Sequence, residues 1–173
     1  MHGTSFFIGL STLLLGSVAI AETQTETQEG DAWKRKAVSN SGTAASSIYP
    51  MDSTQTGALL QCAGSSMSVY FAVEPLDFEE LANSQTSRSR KWTGKLFIDG
   101  EMVDERDWVY LPALKAALPG SKLVAAKVFN AIVRGQTVEF EVGNKQRVRV
   151  FLPSPDAAFT AFAEDCKSYK EDA

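Results

Sequence analysis

The residues that usually carry out catalysis are scarce in this chain. Its only histidine is His2, which lies in an N-terminal segment that we expect to be removed. Without histidine, the mature chain lacks the Ser–His–Asp and Cys–His nucleophile systems and the commonest ligand of zinc, copper and iron. The sequence also contains no Ser-x-x-Lys pair, no Walker loop and no GxGxxG turn. We therefore predict that the protein is not an enzyme and that it binds no cofactor and no metal ion.

Carboxylates are the reactive groups that remain. They crowd around one predicted hairpin, at Asp99, Glu101, Asp104, Glu105 and Asp107. Such a cluster could bind Ca²⁺ or supply the acid–base pair of a glycosidase. Its spacing matches neither an EF-hand loop nor another ordered ligand series, and a solvated hairpin surface explains the charges better. A glycosidase-like hydrolase that works through carboxylates alone, on envelope polymer, is kept as the alternative function.

A second charged cluster combines Arg88, Arg90 and Lys91 with the ring of Trp92. Basic side chains beside an aromatic ring could contact lipid headgroups, an anionic cell-wall polymer or an acidic partner. Each such charge contributes about 1 kcal/mol near an anionic surface, and a solvated loop is the simpler explanation. We keep these four residues as the candidate partner-binding site.

Residues 1–21 have the pattern of a signal peptide. The apolar run IGLSTLLLGSVAI ends at Ala19-Ile20-Ala21, a small-x-small cleavage site. We expect cleavage after Ala21 and a periplasmic or secreted mature chain without a transmembrane segment. A retained membrane anchor is the alternative, although the run is short for a spanning helix. A net charge of −4 argues against bulk binding to nucleic acid.

Two cysteines in an exported chain predict a disulfide between Cys62 and Cys166.

Residues 22–32 are polar and acidic, and we predict a disordered leader there. Residues 33–173 are predicted to form one β-rich domain. It begins with an edge strand whose Lys34-Arg35-Lys36 run discourages further pairing. Most of Ser39–Gly57 is predicted as loop.

Alternating apolar residues predict strands in the rest of the domain. Ala58–Cys62 and Met67–Val73 form one predicted pair. The Asp-Gly at 99–100 predicts a hairpin with a type I′ turn, which would pair Phe97 with Met102, Leu96 with Val103 and Lys95 with Asp104. A closing hairpin places Val138, Phe140, Val142, Val148, Val150 and Leu152 on one face, with a three-residue loop at either Val142–Asn144 or Gly143–Lys145.

Helices are predicted where the apolar period is longer. Short ones are expected at Phe78–Ala82 and from Pro112, with Leu111, Leu114 and Leu118 on one stripe. Ser121–Arg134 is predicted as a helix, with strands as the alternative. A tail helix is expected to be capped by Ser154 with Pro155 at its first position, and to bury Phe159, Phe162, Ala163 and Cys166. The fold class is therefore mainly β (α+β), a sandwich-like or curved antiparallel sheet with two to three helices, the last pinned by the disulfide.

Between its two cysteines the chain runs from LLQC, which ends at Cys62, through RVRVFLP to AFTAFAEDC, which ends at Cys166. This layout resembles that of small exported bacterial proteins of the VasI-like and invasion-associated-locus-B-like type. The cysteines of the latter group are usually closer together than here. The resemblance implies a disulfide-pinned, β-rich periplasmic domain with a non-enzymatic accessory role, and only the cysteine pair carries over. We therefore expect an exported binding or accessory module that acts on a protein or envelope component. An inhibitor or immunity protein that presents its hairpin tips or the Ser87–Trp92 loop would be one form of it.

Overall fold

The fold is a curved antiparallel β-sheet with two helices packed on one face. The structure, a computed structural model, describes residues 23–40, 43–73, 90–143 and 146–171. Within these ranges the strands are β1 (Gln24–Glu29), β2 (Trp33–Asn40), β3 (Thr43–Pro50), β4 (Ala58–Ala63), β5 (Ser66–Ala72), β6 (Arg90–Ile98), β7 (Glu101–Leu111), β8 (Ala116–Leu118), β9 (Val138–Val142) and β10 (Val148–Arg149). The helices are α1 (Lys122–Arg134) and α2 (Ala157–Glu171), with a 3₁₀ turn at Pro112–Leu114. No helix in the described ranges is long and apolar enough to cross a membrane.

The strands form one sheet in the order β1-β2-β3-β4-β5-β8-β7-β6-β9-β10. The sheet curves so far that the end of β10 returns to the start of β4. There, Phe151 forms a single parallel bridge with Gly57, and its N–H donates to the carbonyl of Thr56 at 2.7 Å. The curvature encloses the apolar residues of the concave side.

The core lies between the sheet and the two helices. On β4 and β5, alternate residues are buried there, among them Leu60, Val69 and Phe71. Phe71 packs against Trp108 and Phe140, with ring centroids 5.1 and 5.0 Å away. α1 packs on β5, and α2 packs across β2, β3 and β4. The helices therefore cover one face of these strands, and the other face is left to line a different surface.

The disulfide between Cys62 and Cys166 is confirmed. It links β4 to α2 with 5.6 Å between the Cα atoms, within the range that an unstrained bridge allows. On α2, Phe159, Phe162 and Cys166 are buried as predicted. The tail helix is therefore held to the early strands by both packing and a covalent bond.

The predicted cap of the tail helix is wrong. Asp156, and not Ser154, lies at its N-terminus, where Oδ1 accepts the N–H of Phe159 at 3.0 Å. Its Oδ2 accepts the N–H groups of Ala32 and Trp33, each at 3.1 Å. Burial raises the pKa of Asp156, but the backbone hydrogen bonds outweigh it, and the pKa lies below its usual value. One carboxylate thus caps α2 and fixes the start of β2.

Three predictions about the N-terminal region are wrong. Residues 24–29 form β1 and are not a disordered leader. β2 is therefore an interior strand, since β1 covers its edge. Thr43–Pro50, predicted as loop, is β3.

Acidic side chains of β1 face the basic run of β2, and Glu26 and Asp165 bind the buried guanidinium of Arg35 at 3.0 and 2.7 Å. This pairing of opposite charges compensates for the small apolar surface of β1.

The hairpin at Asp99-Gly100 has the predicted turn, with φ of 51° and 84° at its central residues. Phe97 pairs with Met102 as predicted, but a bulge then shifts the register, so that Leu96 faces Asp104 and Lys95 faces Glu105. The predicted pairs with Val103 and Asp104 are therefore wrong, because Val103 is the extra residue of the bulge. β7 runs through the charged residues 104–107 without interruption.

The closing hairpin has the register of the Gly143–Lys145 alternative, since Val148 pairs with Phe140 and Arg149 with Glu139. Residues 122–134 form the predicted helix, which ends at Gly135 with a φ of 66°. The helix predicted from Pro112 is only a 3₁₀ turn, because Leu118 belongs to β8. The predictions for residues 1–21 and for Phe78–Ala82 lie outside the described residues.

Candidate functional site

The sheet face away from the helices carries a groove of about 660 Å³. Its floor is formed by outward-facing residues of three adjacent strands, at Ser47 and Tyr49 on β3, Leu59 and Gln61 on β4, and Tyr70 and Ala72 on β5. These positions alternate with the buried core residues of the same strands. The residues of the floor on β4 and β5 are therefore flanked along each strand by side chains packed in the core.

The turn at 51–57 forms one wall of the groove. Asp52 organises this turn, accepting the N–H and the hydroxyl of Thr54 at 2.9 and 2.6 Å and the amide of Gln55 at 2.8 Å. The hydrogen bonds from the hydroxyl of Thr54 and the amide of Gln55 lower the pKa of Asp52. Asp52 therefore stays ionised near neutral pH, which suits a structural or binding role and not that of a general acid.

Another part of the wall comes from the 3₁₀ turn and β8. Leu114 is 64% exposed at this rim, and Ala116 lies beside Ala72 in the sheet register. Leu114 is thus a large apolar side chain held at the mouth of a groove that also contains two tyrosines. A mostly apolar cleft with a few polar groups is the usual composition of a ligand site.

Few charged side chains line the groove. Among the lining residues that the structure describes, Asp52 is the only acidic one and none is Lys, Arg or His. Lys34 and Lys36 of β2 lie at the margin, where they pair with Tyr49 and Ser47. A second cavity, of about 490 Å³ beside Gly135 and Arg149, has no carboxylate among its described lining residues. The described residues of these two cavities therefore do not include the two facing carboxyl groups that acid–base hydrolysis of a glycoside requires.

The predicted acidic cluster does not form one site. Asp104 is paired with Arg106 at 2.5 Å and with Lys127 at 3.5 Å, and the bond from Arg106 lowers the pKa of Asp104. Asp99 accepts the N–H of Thr137 at 2.8 Å and so ties the hairpin to β9. Within the described ranges, no group of three or more His, Cys, Asp or Glu side chains is arranged to hold a metal ion.

The predicted basic cluster is divided. Arg88 lies outside the described residues, and the side chain of Arg90 is not described. Arg90 and Lys91 belong to β6 and not to a loop. Trp92 stacks on Tyr110 with ring centroids 5.8 Å apart and packs against the core, so it is a packing residue. Only Lys91 of this set has an exposed side chain that the structure describes.

The sequence does not by itself indicate the groove. The alternation within Met67–Val73 correctly predicts that Tyr70 and Ala72 point away from the core, and it is the one sequence pattern that points to this surface. The neighbouring Ser47 and Tyr49 belong to a segment predicted as loop, so the shared surface could not be recognised.

The protein is thus a disulfide-linked, β-rich domain with a groove on the face of the sheet that the helices do not cover. No protein-family model matches the chain, and neither a curated protein nor a solved structure is significantly similar to it.

Proposed function

We propose that the protein is an exported, non-catalytic binding module of the cell envelope and that the groove is its binding surface. The observation that carries this proposal is the groove itself, a cleft of about 660 Å³ with an exposed leucine and two tyrosines. Its size falls in the range of ligand pockets. The disulfide is compatible with export, because such bonds persist in oxidising compartments.

The lining of the groove favours binding over hydrolysis. Asp52, the one carboxylate among the lining residues that the structure describes, already accepts three hydrogen bonds from its own turn. An acid–base mechanism would need a second carboxyl group across the cleft. The accessory role implied by the resemblance to VasI-like and invasion-associated-locus-B-like proteins agrees with this proposal and stays a prediction.

The binding proposal is tested by filling the groove. Ala72→Phe would place an aromatic ring on the groove floor, whereas Ser66→Phe adds the same ring to the same face of β5, six residues away, where Ser66 pairs with Ala63 and neither residue lines the groove. Immobilised wild-type protein is expected to retain an envelope component that the Ala72 variant does not retain and the Ser66 variant does. Equal retention by all three proteins would refute the groove as the binding surface.

The export proposal has a separate test. Intact-mass analysis of protein from the envelope fraction is expected to give a chain that starts at Glu22, because the small-x-small site ends at Ala21. A mass that corresponds to a chain starting at Met1 would refute cleavage.

A further inference from the structure

The charges around the groove restrict the class of its ligand. Among the lining residues that the structure describes, an anionic ligand would find no Lys, Arg or His. Lys34 and Lys36 pair with Tyr49 and Ser47 at the margin of the groove, and Lys34 is bound to Glu29. A cationic ligand would find only Asp52 in the same described lining, and its two oxygens are occupied by Thr54 and Gln55. Because burying a charge without a partner is costly, the groove fits a neutral ligand.

The backbone of the groove floor offers a ligand little to bind. β4 is paired with β3 on one side and with β5 on the other, and the N–H and C=O groups of a strand point along the sheet towards its neighbours and not out of its face. A peptide recognised by β-strand addition would pair with the edge of a strand and not with this face. A ligand in the groove therefore contacts mainly side chains.

The side chains of the groove combine two kinds of surface. Gln61, Gln55, Ser47 and the tyrosine hydroxyls can both donate and accept hydrogen bonds. Leu59, Leu114 and the tyrosine rings offer apolar surface beside them. A saturated lipid chain would leave the amides and hydroxyls unpaired when it displaced water, at a cost in free energy. A sugar ring matches both surfaces, because its hydroxyls donate and accept while the C–H groups of its faces pack on aromatic rings.

We propose that the groove binds a neutral oligosaccharide, with its hydroxyls hydrogen-bonded to Gln61 and its ring faces packed on Tyr49 and Tyr70. This inference rests on the proposed function of the groove as a binding surface. It adds the chemical class of the ligand, which neither the sequence nor the binding proposal specifies.

The test is a calorimetric titration of the mature protein with neutral tetrasaccharides of β-linked N-acetylglucosamine, β-linked glucose and α-linked glucose, and with a long-chain fatty acid as the apolar probe. Saturable binding of at least one tetrasaccharide is expected. Gln61→Leu should weaken it about 10-fold, since a neutral hydrogen bond contributes about 0.5–1.5 kcal/mol. Tyr70→Ala should weaken it further through the loss of stacking.

The matched control is Gln24→Leu, the same change on β1 and outside the groove. It should bind as the wild type does, and thermal unfolding of each variant establishes that it is folded. Binding of the fatty acid alone, or of no tetrasaccharide, would overturn the saccharide proposal. If the Ala72→Phe variant still lost its envelope component in that case, the binding surface would stand while the ligand class failed. If the tetrasaccharide bound equally to wild type and to Gln61→Leu, the placement in the groove would be wrong.

Discussion

Removing the disulfide should lower the free energy of unfolding by about 2–5 kcal/mol, the usual cost for a small secreted domain. Cys62 and Cys166 are separated by 104 residues in the chain. For a closed loop of that length, the chain-entropy relation gives about 4.7 kcal/mol at 25 °C. The bridge acts mainly on the unfolded chain, which it keeps compact.

The assay is urea unfolding of the wild type, Cys62→Ala, Cys166→Ala and the double variant. The three variants should agree within about 0.5 kcal/mol, because all lose the same bond. Their dependence on urea should also be steeper than that of the wild type, since an unfolded chain without the cross-link exposes more surface.

Two results would refute this reasoning. A loss below about 1 kcal/mol in every variant would mean that the cross-link does not constrain the unfolded state as the chain-entropy relation requires. Two reactive thiols in the denatured, unreduced wild-type protein would mean that the bond is not formed at all.

Two further predictions concern single residues of the fold. A Cβ at Gly94 would lie 2.3 Å from the indole of Trp108, whereas a Cβ at Gly57 would meet only a proline ring at 3.4 Å. Gly94→Ala should therefore lower the free energy of unfolding in urea by about 1–3 kcal/mol, and Gly57→Ala should lower it much less. Equal losses in the two variants would contradict the close approach of Gly94 to Trp108. Because the pKa of Asp156 is lowered in the folded state, its charge stabilises the protein above the unfolded pKa of about 3.9 and ceases to do so as the pH falls through the folded pKa. The Asp156→Asn variant should be less stable than the wild type at neutral pH, and it should lose less stability than the wild type when the pH falls below about 4. Parallel pH profiles of urea unfolding for the two proteins would contradict this role of Asp156.

The parts of the fold that the sequence predicts are those with a strong local pattern. β4, β5 and the closing hairpin alternate apolar and polar residues, and the Asp-Gly turn needs positive φ at both central positions. α1 has a helical stripe and a glycine at its C-terminus. Each of these signals is contained within a few consecutive residues, so no knowledge of distant contacts is required.

The N-terminal strands lack such a pattern. β1 is made of Gln, Thr and Glu, and β3 is mostly Ser, Ala and Thr. β1 is stabilised by its neighbour, through the ion pair of Glu26 with Arg35, and Arg35 is in turn held by Asp165 near the end of the chain. These contacts connect residues far apart in sequence, and local propensity does not report them. The bulge at Val103 escapes prediction for the same reason, since it depends on how β7 fits against β6.

The division of the sheet into two faces explains why the candidate site was harder to predict than the fold. The concave face contains the disulfide, the buried Arg35 and the aromatic core, and it is here that substitutions should affect stability. The opposite face of the same strands holds Gln61 and Tyr70, which are only half-buried and whose mutual contact is a long one of 3.5 Å. Because Gln61 directly precedes Cys62 on β4, the groove floor is anchored from behind by the cross-link. Groove side chains point away from the core, so exchanging them should cost little stability, and substitutions there should change binding before they change folding.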